Sequence, residues 1–303
     1  MKNAYKIAVL LTCFNRKEKT VKALRSVQKA AETYNSSHDS RLTLRVFLTN
    51  DGCTDGTPEA AQALFLPEEI NIIDSDGNSY WAGGMRLAWE KAMESHLYWD
   101  FYLLINDDVE FVPSAFETLF YTHVYAITRY GKGGVYSGFI CSKSDPNRII
   151  YGAKSYKKTL LSKAYDLSPT GTPQQCLMVN ANILMVCPNV VDGIGQLDTI
   201  FIHGGADWDY GIRASKAGFP VLATSEICGM GENDHDNNLQ EKKKVMKMSL
   251  SERRSFLNKP NKGYYDALCF FKRYNKFKLF ITKLAYQINL YLPSLFYNLN
   301  HVR

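Results

Sequence analysis

Residues 103–111 read LLINDDVEF. An apolar run of the kind that forms a buried strand ends in Asn106, Asp107 and Asp108. Adjacent carboxylates repel, and they sit together in water or where a cation neutralises them. Outward from this stretch the same event repeats. KIAVLLTCF (6–14) is a short apolar run rich in β-formers, so a strand. KEKTVKALRSVQKAAETY (17–34) follows, with Val21, Leu24, Val27 and Ala31 at helical spacing. LTLRVFLTND (42–51) is a second strand that runs into the turn residues NDGCTDGTP (50–58). PEAAQALF (58–65) predicts a helix, INIIDSD (70–76) a third strand, and GGMRLAWEKAMESH (83–96) a helix opening on two glycines. WDFYLLINDDV (99–109) is the fourth strand, and VPSAFETLFYTHVYAITRYG (112–131) a helix that starts at a proline.

Strand and helix thus alternate four times, which predicts an α/β fold with a mostly parallel central sheet and flanking helices. In such sheets ligands bind beyond the carboxyl ends of the strands. Four polar clusters fall there: Thr12 to Arg16, Asn50 to Asp55, Asp74 to Asn78, and Asn106 to Asp108. One cluster is a surface loop by chance, but four at equivalent places predict a site.

Composition narrows the class. With 303 residues, 46% hydrophobic and 22% charged, the chain has the material for a sizeable globular core. Aromatics reach 13%, an excess that must be buried or sit at a ligand, partner or membrane surface. The net charge of +6 is concentrated in the C-terminal third, in EKKKVMKMSLSERR (241–254) and FFKRYNKFK (270–278). Such segments suit an acidic surface such as phospholipid, or a solvated helix face. Cys13, Cys53, Cys141, Cys176, Cys187, Cys228 and Cys269 are odd in number and widely spaced, without a CxxC pair. That argues against a disulfide framework or a zinc site and reads as reduced cysteines of a cytoplasmic protein. The N-terminal apolar run is too short for a signal peptide, and no stretch approaches 18 uninterrupted apolar residues, so no transmembrane helix is expected.

No GxGxxG follows the first strand and no GxxxxGK[ST] occurs, which weighs against a dinucleotide site and a P-loop. In their place stand Asp51, Asp74, Asp76, Asp107 and Asp108. Carboxylates hold a phosphate only through a divalent cation; Asp51 and Asp76 have a second reading, as acceptors for a base N–H or a ribose hydroxyl. Either way the pattern describes a metal-dependent site for a nucleoside diphosphate.

TCFNR (12–16), NDGCTDGT (50–57), GNSYWAGGMRLAWEKA (77–92), INDDV (105–109) and GGADWDYGIRASKAG (204–218) together resemble the family-2 glycosyltransferases of GT-A fold, and most of all the rhamnosyltransferase-like members. The resemblance implies sugar transfer from a nucleotide-sugar donor to a hydroxyl of a glycan or lipid-linked acceptor in cell-surface polysaccharide synthesis, with Mg²⁺ or Mn²⁺. It implies a dTDP-rhamnose or UDP-sugar donor. By the same resemblance Thr12, Asn15 and Arg16 lie near base and ribose, Asp51 reads the base, and Asn78, Gly83, Gly84 and Arg86 pass close to the donor. Asp107 lies beside the donor sugar or ribose and Asp108 holds the metal, with His235 as a further metal or diphosphate ligand. Asn106 stands where the family has its leading Asp, keeping an oxygen but losing a charge. Asp207 matches the base of an inverting transfer, and Ala206 replaces the Glu beside it. Asp209 is expected to cap or pair locally. Trp81, Asn182, Trp208 and His203 are acceptor-side candidates, the tryptophans because sugar C–H faces stack on aromatic rings; ordinary packing is the alternative for each.

The expected organisation is a catalytic domain over residues 1–245 and a C-terminal helical extension over 246–303. The extension alternates aromatic and aliphatic residues with Lys and Arg at helical spacing. It fits an interfacial amphipathic helix, peripheral at the inner face of the cell membrane, or a homodimer contact. No nucleic-acid partner is expected. Two competing functions share these features: a sugar-phosphate nucleotidyltransferase, which would open on a glycine-rich basic loop absent from TCFNRKEK, and a non-catalytic sugar-nucleotide-binding protein.

Overall fold

A computed structural model describes residues 4–156, 164–232 and 238–300. Twelve strands run in the order β1 (Ala4–Cys13), β2 (Arg41–Asn50), β3 (Ile70–Asp74), β4 (Phe101–Ile105), β5 (Glu110–Phe111), β6 (Val135–Ser142), β7 (Ile149–Tyr151), β8 (Lys154–Tyr156), β9 (Ala164–Asp166), β10 (Gln174–Gln175), β11 (Ile183–Val186) and β12 (Val221–Gly231) among the described residues. The helices are α1 (Lys17–Ser37), α2 (Thr57–Gln62), α3 (Tyr80–Glu94), α4 (Ala115–Tyr130), α5 (Pro188–Ile194), α6 (Ala206–Lys216), α7 (Asn238–Lys247), α8 (Leu250–Leu257), α9 (Tyr264–Tyr274), α10 (Lys276–Tyr291) and α11 (Pro293–Asn300).

The chain divides into two compact units, Met1–Asp198 with Asp207–Glu232, and Thr199–Ala206 with Asn233–Arg303. The first is built on one large sheet of order β10-β12-β6-β11-β4-β1-β2-β3. Strands β1 to β4 are parallel to their neighbours in that half, β6 and β12 are parallel, and β11 runs antiparallel between β4 and β6. The pleat explains why both faces need cover. Phe101 meets Phe120 of α4 at 5.4 Å between ring centroids, whereas its neighbour Tyr102 meets Trp89 of α3 at 5.5 Å. Helix α1 turns Thr20, Ala23, Leu24, Val27, Ala30, Ala31 and Tyr34 inward, an i, i+3, i+4, i+7 stripe. Val21 flanks this stripe half-buried, because Thr20 and Ala23 lie closer to its centre. Parallel pairing brings the carboxyl ends of β1, β2, β3 and β4 to one edge, and the four polar clusters with them.

The second unit is helical among its described residues. Its pivot is Asp266, 3% exposed, whose carboxylate accepts N–H bonds from Ile202, His203 and Gly204 at 2.8–2.9 Å. These bonds tie 199–206 to the helices of this unit. Arg253 donates to the carbonyls of Val245, Met248 and Leu290, tying α7, α8 and α10 together. Tyr264 stacks on Tyr286 at 4.0 Å.

Candidate active site

The first two loops are stitched together by their own polar side chains. Asn15 takes a left-handed backbone (φ 50°), which Asn tolerates better than most residues. Its Oδ1 accepts from the N–H and hydroxyl of Thr54, and its own N–H donates to Cys53 Sγ at 3.3 Å. Asp55 accepts the Lys17 N–H at the start of α1. Asn50 accepts from the Cys53 N–H and donates to Asp74, which joins the third loop.

Asp51 is buried at 5% exposure. Its carboxylate accepts from Ser75 Oγ at 2.7 Å and from the N–H groups of Ser79 and Tyr80 at 3.0 and 2.9 Å. These are otherwise unsatisfied donors at the N-terminus of α3. Three of roughly four acceptor positions are therefore taken by the chain itself. Asn78 closes a turn on Asp76, donating through its N–H and its side-chain amide. Gly84 is buried where a Cβ would collide with Thr12, and Thr49 Oγ1 donates to the Gly84 carbonyl. Its glycine is what lets α3 pack against β1 and β2. Gly83 is roomier, and Arg86 donates to the Asp198 carbonyl at 3.2 Å.

The fourth loop carries the acidic pair. Asp107 is 6% exposed, and Arg16 Nη1 donates to both Asp107 Oδ1 at 3.0 Å and Asp108 Oδ2 at 2.7 Å. The cation that permits adjacent carboxylates here is Arg16, which lies in the first loop and reaches the pair only because β1 and β4 are neighbours. Burial pushes Asp107 up to about 6, helped by Asp108 and opposed by Arg16. Asn106 has both ends of its amide engaged. Its Oδ1 accepts from Trp81 Nε1 at 2.8 Å, and its Nδ2 donates to Asn182 Oδ1. Its backbone N–H also donates to the Asn182 carbonyl. An Asp at 106 could not donate to Asn182 Oδ1 as Asn106 does.

The segment bearing Asn182 continues to Asp207. Asn182 N–H donates to Asn180 Oδ1, and Ala181 N–H donates to Asp207 Oδ2 at 3.3 Å. Asp207 lies in the first turn of α6 and also accepts from the Trp208 N–H at 2.9 Å. Burial raises its carboxyl to about 6, and these backbone bonds pull the other way. Gly211 lets α6 approach closely, since a Cβ there would strike the Leu177 carbonyl oxygen. Asp209, fully buried, pairs with Arg213 at 2.7 Å and serves the helix. One hydrogen-bonded frame thus runs from Trp81 through Asn106 and Asn182 to the chain around Asp207. His203 belongs to the second unit, where its N–H donates to Asp266. His235 lies outside the described residues. The sequence reading missed Arg16 as the partner of the acidic pair, and Asn106 as a joint. No local signal exists for either, because both depend on strand order.

Residues 8–181 match Glycosyl transferase family 2. The chain belongs to this family. It is a glycosyltransferase, and the family supports a nucleotide-sugar donor. The matched stretch holds the first four motifs and ends before Asp207. No curated protein sequence matches this family-2 glycosyltransferase significantly. Among solved structures it resembles the mannosyltransferase PcManGT from Pyrobaculum calidifontis in complex with GDP-Man and Mn2+, at 12% identity and a TM-score of 0.51, covering 97% of this chain and 77% of that one. It also resembles S. aureus TarS 1–349, at 10% identity and a TM-score of 0.51, covering 95% and 80%. At such identities the likeness establishes the fold, the GT-A arrangement of the family.

Proposed function

We propose that this family-2 glycosyltransferase transfers a sugar from a nucleoside-diphosphate donor, dTDP-rhamnose or a UDP-sugar, to a hydroxyl of a glycan or lipid-linked acceptor with inversion, Asp207 acting as base. The observation that carries the reading is the state of Asp207. Its carboxylate is held by the N–H groups of Ala181 and Trp208 next to Asn182, and desolvation lifts it to about 6. A base titrating near neutrality suits proton abstraction in the transition state. The acceptor O–H gives its proton to Asp207, the oxygen bonds to the anomeric carbon, and the bond from that carbon to the diphosphate oxygen breaks on the opposite face.

Asp107 and Asp108 are hard oxygen donors of the kind Mg²⁺ or Mn²⁺ prefers, with Asp108 the more accessible of the two. A metal held by these carboxylates would complete its shell with oxygens of the donor diphosphate and water. When bound it would neutralise the leaving diphosphate. Arg16 offers a fixed positive charge at the same place. Trp81, with its indole N–H on Asn106, and half-buried Trp208 remain the sugar-facing candidates.

The test is Asp207→Asn, assayed for release of nucleoside diphosphate in the presence of acceptor. Loss of roughly 10²–10⁴-fold in turnover with donor binding intact is expected. Unchanged turnover would remove Asp207 from the chemistry. Wild-type binding of nucleotide without any turnover would favour the non-catalytic reading, and pyrophosphate release the nucleotidyltransferase reading.

A further inference from the structure

Helix α10 carries two apolar faces, and the fold uses one. On the inner face Leu290 is buried at 2% exposure and Tyr286 stacks on Tyr264. On the other, Phe277, Phe280, Ile281 and Leu284 stand 66%, 62%, 45% and 47% exposed. The spacing i, i+3, i+4, i+7 places these four on one stripe. The stripe continues to Tyr291, Leu292 and Leu295, which are 54%, 55% and 45% exposed at the turn into α11. A contiguous exposed apolar patch of this kind marks an interaction surface.

Charge decides what covers it. From Ala267 to Arg303 the sequence has no Asp or Glu. Lys276 and Lys283, seven residues apart, lie along one flank of the stripe and are exposed. A second copy of the chain meeting this face about a two-fold axis would set the same lysines against each other. An anionic bilayer complements both features, with acyl chains for the stripe and headgroup phosphates for the lysines. Among the described residues no helix is long and apolar enough to cross a membrane, so the contact is with the surface. We propose that the outward face of α10 docks this glycosyltransferase on an anionic lipid surface. The inference goes beyond the donor chemistry and does not rest on it.

Full-length protein is sedimented with vesicles of phosphatidylcholine alone and with vesicles in which part of it is replaced by phosphatidylglycerol. Binding to the anionic vesicles, weakening as salt screens the lysines, is expected. The variant Phe277→Ser/Phe280→Ser/Leu284→Ser should partition roughly tenfold less or weaker still, with its melting temperature unchanged because all three side chains are exposed. The variant Lys276→Gln/Lys283→Gln should lose the preference for phosphatidylglycerol, and this arm decides the matter if the serine variant folds poorly. Absence of binding to anionic vesicles, or undiminished binding by both variants, overturns the proposal. So does a dimer in light scattering that the serine variant converts to monomer.

Discussion

Asp207 and Asp107 share an unusual state, carboxyls lifted from an ordinary 3.8 to about 6 chiefly by burial. Between those two values the native state holds a proton that the unfolded chain has released. Native stability therefore falls as pH rises through that window and levels off above it. Asp207→Asn removes the cost of ionising a partly desolvated group. The variant leaves one of the two backbone N–H groups without an acceptor at every pH, so the expected signature is in the pH dependence: the stability difference shifts in the variant's favour by about 2 kcal/mol between pH 4 and pH 8, in urea titrations at both pH values. The same variant loses turnover, the combination that separates a functional carboxylate from a structural one. A wild-type rate that rises with pH through about 6 belongs to the same group. Asn106→Asp sets a third carboxylate beside two and leaves Asn182 Oδ1 without its donor. A loss of about 1–3 kcal/mol is expected by denaturant unfolding, and a variant as stable as the wild type would remove Asn106 as the joint.

At the scale of elements, α3 is the piece that shapes the site. Its start is anchored by Asp51 through two backbone N–H groups, and its first turns lie on β1 at Gly84. Gly84→Ala would drive a methyl group into Thr12. The expected cost is about 1–3 kcal/mol in thermal or denaturant unfolding, with weaker nucleotide binding because Trp81, in the first turn, shifts with the helix. Alanine at Gly83, where the nearest atom to a Cβ is Ser79 Cβ at 3.4 Å, is the milder control. The resemblance places Gly83 and Gly84 close to the donor, and the packing adds that Gly84 approaches β1 at Thr12.

For the whole molecule, the proposed donor site of four loops on one sheet edge exists only when the sheet is formed, so a nucleotide that binds there would stabilise the fold by mass action. Addition of dTDP or UDP with Mn²⁺ is expected to raise the melting temperature, with the gain reduced by a chelator and in Asp108→Ala; no gain with any nucleoside diphosphate would count against the donor reading. Much of this architecture was legible in the chain. Alternating apolar runs and amphipathic segments determined the parallel half of the sheet, because strand and helix periods are local properties. The turn residues after each run placed the loops, and parallel pairing made them neighbours. What the chain could not show was which side chains meet across those loops. Arg16 and Asp107 are far apart in sequence and 3.0 Å apart in space because β4 pairs with β1. Asn106 reaches Asn182 because β11 returns antiparallel beside β4. Asp51, expected to read the base, also anchors the start of α3 and takes a hydroxyl from the next loop. Strand order is a long-range property, set by which faces bury best against one another, and so the partners that Arg16, Asp107, Asn106 and Asp51 find across the loops were decided by the tertiary structure alone.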